Sequence, residues 1–145
     1  MFSVLMFFAG ILYANLMEFF VHKYLFHGLG KKKNSIFAFH IRQHHMVARK
    51  NGFVDRKFSL NEFIGIPILM LVHSPILWLS PHMYVAIWIY AILFVVVHNT
   101  LHRNPAIAKK YFWWHWNHHM QNQNKSWAVV LPISDIFFRT LQKKP

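Results

Sequence analysis

Apolar residues run almost unbroken from Phe2 to Val21, in FSVLMFFAGILYANLMEFFV. At ~1.5 Å per residue this run is long enough to cross a hydrocarbon core of ~30 Å. It lacks a basic leader and a small-residue cleavage site, so it reads as a retained span and not a removable signal peptide. A second run, from about Leu60 to Leu79, and a third, from about Met83 to Leu101, are separated only by Ser80-Pro81-His82. They predict a helical hairpin. Ser59 with Glu62 has the spacing of a capping box at the start of the second run, and Ser80 followed by Pro81 supplies an N-cap and an N1 proline for the third. Between and after the apolar runs, Asn34 or Ser35 can cap a helix reaching about Arg49, and Asn104 with Pro105 opens another reaching about Gln121. The pattern predicts an all-α integral membrane protein of about three transmembrane helices, with further helices at one membrane face.

Charge orients this arrangement. The chain has 145 residues and a formal net charge of +12, enough for one domain over residues 1–145. All sixteen Lys and Arg fall in two segments, nine between Lys23 and Lys57 and seven between Arg103 and Lys144. Because cytoplasmic loops beside spans collect Lys and Arg, both segments belong in the cytoplasm and the N-terminus outside. The KKKN run at 31–34 then serves as an anchor to anionic lipid, and nucleic acid is not the expected partner. Trp113, Trp114, Trp116 and Trp127 are expected along the headgroup layer. With no cysteine, disulfides, thiolate catalysis and Cys-based zinc sites are excluded.

Histidine changes the picture most. Ten of the twelve fall in four groups: HKYLFH holds His22 and His27, HIRQHH holds His40, His44 and His45, HNTLH holds His98 and His102, and HWNHH holds His115, His118 and His119. Topology brings every group to the cytoplasmic face, although they lie up to 97 residues apart in sequence. On an α-helix, His40 with His44, His98 with His102, and His115 with His118 and His119 each share a stripe. His22 and His27 are five apart, about 140° around an ideal helix at ~100° per residue, so they serve different metals unless the helix loosens before Gly28 and Gly30. His73 and His82 stand alone; His73, between Pro67 and Pro75 in the second run, lines a cavity or is a satisfied interior histidine.

Ten imidazolium charges cannot share one site, so the grouped histidines are neutral, and clustered neutral imidazole is a metal-binding arrangement. Two closed zinc sites use eight ligands and a lone metal at most six. Ten fit two metals with about five nitrogens each and a position open for an exogenous ligand. Imidazole suits Fe, Zn, Cu or Ni, which leaves the metal undecided at this point. The four acidic residues, Glu18, Asp55, Glu62 and Asp135, are too few for a carboxylate-bridged di-iron centre. Glu18, one turn before His22, and Asp135 are candidates to accept an imidazole N–H behind the ligands.

These motifs resemble the fatty acid hydroxylase superfamily of membrane oxygenases, over about Glu18 to Thr140. HKYLFH is similar to that family's HxxxxH box, HIRQHH to its second box, HNTLH to HxxxH and HWNHH to the closing HxxHH box, in the family's order. LPISDIFFRT resembles the segment after the last box, with Asp135 at its acidic position. The resemblance implies two iron ions, for which zinc can substitute in a purified protein. It further implies O2 as co-substrate, hydroxylation of a lipid, with a fatty acyl chain the leading candidate, and the ten histidines as ligands. Carotenoid or sterol hydroxylation and lipid desaturation are alternatives within this chemistry; a histidine-rich metal transporter or sensor is the alternative outside it. A fused haem domain, present in some relatives, has no counterpart here. Electrons are therefore expected from a separate donor such as cytochrome b5 or a ferredoxin. The motifs leave the oligomeric state open.

Overall fold

The computed structural model describes the backbone of residues 1–56 and 60–144, and their side chains except at 60–63. All regular elements among them are helical. The first, α1 (Phe2–Phe20), passes directly into a π-helical segment, Val21–Gly28, and a 3-10 turn, Leu29–Lys31. A second π-helical segment, His40–His45, leads into α2 (Met46–Lys50). There follow α3 (Leu60–Val72), α4 (Pro75–Leu79), α5 (Pro81–Arg103), α6 (Pro105–Tyr111), α7 (Trp113–Met120) and α8 (Ile133–Phe137).

Two rods, Phe2–Lys31 and Pro81–Arg103, are long and apolar enough to cross a membrane, and only 22% and 33% of their most apolar stretches are buried within the protein. Leu5, Phe8 and Leu12 on the first and Val85, Ile92 and Val96 on the second face outward, uncovered. The second apolar run, expected as one spanning helix, is not one helix. Pro75 has no N–H to give the Leu71 carbonyl and its ring would crowd it. Leu71 O instead accepts from Ser74 N at 3.1 Å, and α4 starts afresh with Pro75 at its N-terminus. At ~1.5 Å per residue, the 13 residues of α3 are too short to cross alone.

Capping also departs in part from expectation. Ser80 Oγ accepts from Met83 N at 3.3 Å, as its position implies. The Ser59–Glu62 capping box lies outside the described residues. Ser35 Oγ accepts from Phe37 N at 3.1 Å just ahead of the helical turn entering His40. The helix expected from Pro105 to Gln121 is two, broken at Phe112, whose φ of −123° and ψ of 42° are not helical.

The two rods run parallel and touch. A Cβ at Gly10 would lie 2.6 Å from Met83 O and 2.8 Å from Ala86 Cβ, so only glycine allows this approach. Further along, Asn15 Nδ2 donates to Tyr90 Oη at 2.8 Å and Tyr90 donates to Glu18 at 2.6 Å. Parallel neighbours require a return path, and α3 and α4 provide it: Tyr84 donates to Met70 O, and His73 Nε2 lies 2.9 Å from Tyr13 Oη. Ala14, Met70, Ile87, Tyr90 and Ala91 form the core between them. Because α1 and α5 are parallel, their C-terminal ends, with His22 and His27 on one and His98 and His102 on the other, come to the same end of the molecule.

Candidate metal centre

Helix winding decides how the histidines meet. Residues five apart diverge on an α-helix, but a π-helix bonds i to i+5 and brings them onto one side. Both five-residue pairs, His22 with His27 and His40 with His45, lie on π-helical segments. His98 and His102, four apart, lie on regular α5, and His115, His118 and His119 on regular α7.

The ring nitrogens gather in two sets, each with its atoms within 4.8 Å of one another. One set is His22, His27, His40, His45 and His118; the other is His44, His98, His102 and His119. His115 adjoins the second, its Nε2 3.1 Å from His102 Nε2. The sets abut where the His45 and His119 rings stack at 4.0 Å. His22 and His27 share a set because their helix is underwound, the second of the two expected alternatives. The groupings differ from expectation elsewhere: His40 shares a set with His45 and not with His44, because that segment too is underwound, and His118 joins the first set while His119 joins the second.

Hydrogen bonding fixes which nitrogen faces inward. His22 Nδ1 meets Trp127 O, His102 Nδ1 meets Phe53 O at 2.8 Å, His118 Nδ1 meets Lys125 O at 2.8 Å, and His44 Nδ1 meets Asp55 at 2.9 Å. A carbonyl or carboxylate only accepts, so each of these Nδ1 atoms carries the proton and each Nε2 presents a bare lone pair. His118 Nε2 then faces His27 Nε2 at 3.1 Å and His45 Nε2 at 3.2 Å, two neighbours for one lone pair. His119 is fully buried with neither nitrogen hydrogen-bonded. A buried polar atom without a partner costs roughly 1–3 kcal/mol. A cation shared by the converging nitrogens satisfies all of them together, so this donor set fits a metal ion in each set.

Electrostatics agrees. Burial holds the His40, His45, His115, His118 and His119 imidazoles well below the usual 6.5, and neighbouring imidazoles lower them further. They are neutral at pH 7, as metal ligands must be.

The residues behind the ligands differ from expectation. Glu18 accepts from Tyr90 and from the backbone N–H groups of Val129 (2.7 Å) and Val130 (3.4 Å). Asp135 accepts from the backbone of Trp127 (2.9 Å) and Ala128 (2.8 Å) and from Thr140 Oγ1 (2.6 Å). Both carboxylates thus hold the 127–130 strand of chain whose Trp127 carbonyl meets His22, and act one step further out than an imidazole N–H acceptor. Burial pushes the Asp135 carboxyl up, and its three donors pull the other way. Trp127 is buried against His22, His27 and His118 and is not a headgroup anchor.

Among the described residues, the carboxylate that does meet an imidazole is Asp55, on the turn after α2. Gly52 (φ 62°) and Phe53 (φ 82°) are both left-handed there, a rare conformation for a bulky residue. Phe53 is fully buried, its ring stacked on His102 at 4.3 Å and its carbonyl on the same histidine. The only signal for Asp55 in the sequence was arithmetic: of four acidic residues, it alone had no other assignment.

A family model described as fatty acid hydroxylase matches residues 7–140, nearly the whole chain. Neither a curated protein nor a solved structure matches it. The outward-facing apolar rods fit a membrane hydroxylase, and with the family match over all four histidine groups, the chain belongs to the fatty acid hydroxylase family.

Proposed function

We propose that this chain is an O2-dependent membrane oxygenase that hydroxylates a C–H bond of a lipid, with a fatty acyl chain the favoured substrate. One observation carries the reading. A cavity of about 470 Å³, walled by apolar side chains of α1, α3 and α5, opens onto His22 of the first set. Its size lies within the roughly 300–1,000 Å³ of small-molecule sites. An apolar chain entering from the bilayer can lie in it with one carbon beside the histidines.

All ten histidines are the proposed ligands, His22, His27, His40, His45 and His118 for one iron and His44, His98, His102, His115 and His119 for the other. When bound, the irons would activate O2: with two electrons from a separate donor and two protons, one oxygen atom enters the substrate C–H bond and the other leaves as water. The protein's own residues do the rest. Asp55, Phe53 O, Trp127 O and Lys125 O keep four imidazoles in the tautomer that offers Nε2. Phe26, Phe39 and Phe94 line the cavity and keep water from the reacting carbon.

The broken α3–α4 segment completes a third crossing in this reading, with the N-terminus outside and the histidines on the cytoplasmic side. Sixteen Lys and Arg confined to the segments flanking that end support it. Electrons come from a separate donor, such as cytochrome b5 or a ferredoxin. Exposed Arg42, Arg49 and Lys50 near the histidines suit an acidic one. Arg49 Nε donates to the His119 carbonyl at 2.8 Å, which ties this basic face to the second set.

Lipid profiling tests the reading. Aerobic cells expressing the full chain should accumulate a hydroxylated lipid that cells expressing His118→Ala lack. Identical lipid extracts from the two, with both proteins present in the membrane, would refute it.

A further inference from the structure

The first rod carries three polar side chains on one stripe. Asn15, Glu18 and His22 are spaced by three and four residues, which puts them on one side of a helix, and each holds part of the chain that follows the last histidine group. Trp127 O meets His22, the Val129 and Val130 N–H groups meet Glu18, and Leu131 O and Ser134 N meet Asn15 at 2.7 and 3.0 Å. Residues 127–134 therefore run back along the rod from the histidine end, over seven residues or roughly 10 Å at ~1.5 Å per residue. They then return. Phe138 stacks on Phe19 at 4.8 Å, and Thr140 O accepts from Ser126 N at 3.0 Å.

The turning point lies beside Asn15, well inside the apolar run Phe2–Val21. Irregular backbone is tolerated at such a depth only where protein satisfies its polar groups. Here the Trp127 and Ala128 N–H groups go to Asp135, Val129 O accepts from Trp114 Nε1 at 3.0 Å, and Pro132 has no N–H to satisfy. Asn15 is 1% exposed and spends both ends of its amide, Nδ2 on Tyr90 and Leu131 and Oδ1 on Ser134. The side chains do the opposite. Ile133, Ile136 and Phe137 are 41%, 60% and 76% exposed, and the Phe138 ring, 5.6 Å from that of Phe20, joins them to the uncovered surface of the first rod.

We infer that residues 131–138 form a re-entrant segment whose outer face is seated among the acyl chains of the leaflet nearest the histidines. Polar backbone turned toward a polar stripe and apolar side chains turned outward are what hydrocarbon requires of a short, interrupted element. Exposed Arg139 follows directly and returns the chain to the headgroups. The inference needs the first rod to cross the bilayer, and it is independent of the oxygenase chemistry.

The chain has no cysteine, so one introduced cysteine gives a unique label. Iron-loaded full chain bearing a fluorophore at Leu12→Cys, Phe137→Cys or Lys143→Cys is placed in vesicles of phosphatidylcholine and phosphatidylglycerol. Quenching is read from lipids with a nitroxide on the acyl chain, from lipids with a nitroxide on the headgroup, and from aqueous iodide. The Phe137→Cys label should follow the Leu12→Cys label, quenched several-fold more by the acyl-chain nitroxide than by the other two. The Lys143→Cys label should show the reverse order. Ile136→Cys repeats the measurement at a second exposed position, should the first label disturb α8. Dominant quenching by iodide or by the headgroup nitroxide at both positions would overturn the inference, and so would indifference to all three quenchers, the sign of a second copy covering this face. Iodide reaching the Leu12→Cys label as well would overturn the crossing of the first rod along with it.

Discussion

The two histidine sets sit side by side and are built differently. The first takes four of its five imidazoles from π-helical segments, His22 and His27 from one and His40 and His45 from the other. The second takes His98 and His102, and His115 and His119, from ordinary α-helix at a spacing of four. Two cross over: His44 leaves its π-helical segment to join the α-helical set, and His118 leaves α7 to join the first. The difference shows what a spacing of five requires. One helix can aim two such side chains at a single ion only by loosening its winding, and the reward for the weaker backbone ladder is a convergent pair of ligands. The supports differ too. The second set leans on the Phe53–Asp55 turn through His102 and His44, whereas the first leans on the 125–130 segment through His118 and His22.

Breaking one ligand in each set gives the largest expected effect. His118→Ala and His119→Ala should each lower bound metal from about two ions per chain to about one, and each should abolish lipid oxidation, since the open positions act together. Metal analysis and lipid extraction on purified membranes check this. His82→Ala, at an exposed position, should change neither.

Breaking a support should be milder and selective. Asp55→Asn removes the charged acceptor behind His44, and loss of such a partner typically costs about 10–100-fold in metal affinity. Chelator titration should show one of the two ions released earlier, with the other unchanged.

Acidity should act on both sets alike. The folded protein holds His40, His45, His115, His118 and His119 below their ordinary 6.5, so the unfolded chain takes up protons first as pH falls. The stability of the metal-free protein is then fully present above pH 6.5 and is lost progressively below it. Thermal midpoints measured across this range should be flat on the alkaline side and fall on the acid side.

The smallest effect belongs to Asp135→Asn. It leaves the geometry near His22 intact and weakens a buried carboxylate's hold on three donors, a loss of roughly 1–3 kcal/mol. The thermal midpoint should fall by a few degrees with metal content retained.

Much of this was legible from residue patterns. The parallel apolar rods, the Ser80 cap and the four histidine groups at one end all follow from hydropathy, charge and spacing. The pairing inside the groups was legible only in part: Gly28 and Gly30 marked where the helix holding His22 and His27 could loosen, whereas underwinding at His40–His45 leaves no local mark in the sequence and defeats a spacing rule that assumes regular α-helix. The break at Pro75 was hidden for another reason: hydropathy runs smoothly through it, and only the missing N–H ends the helix. Glu18 and Asp135 were expected to accept an imidazole N–H, yet they accept from backbone N–H groups over 100 and about eight residues away, contacts set by tertiary packing. Phe53 carries no chemical signal at all, since its carbonyl does the work.

Iron K-edge X-ray absorption on the iron-loaded full chain, with metal analysis of the same sample, bears most directly on whether imidazoles alone gather two ions. Two irons per chain, surrounded almost entirely by imidazole scattering, is the expected result. A single iron, or spectra dominated by carboxylate or water oxygens, would contradict it.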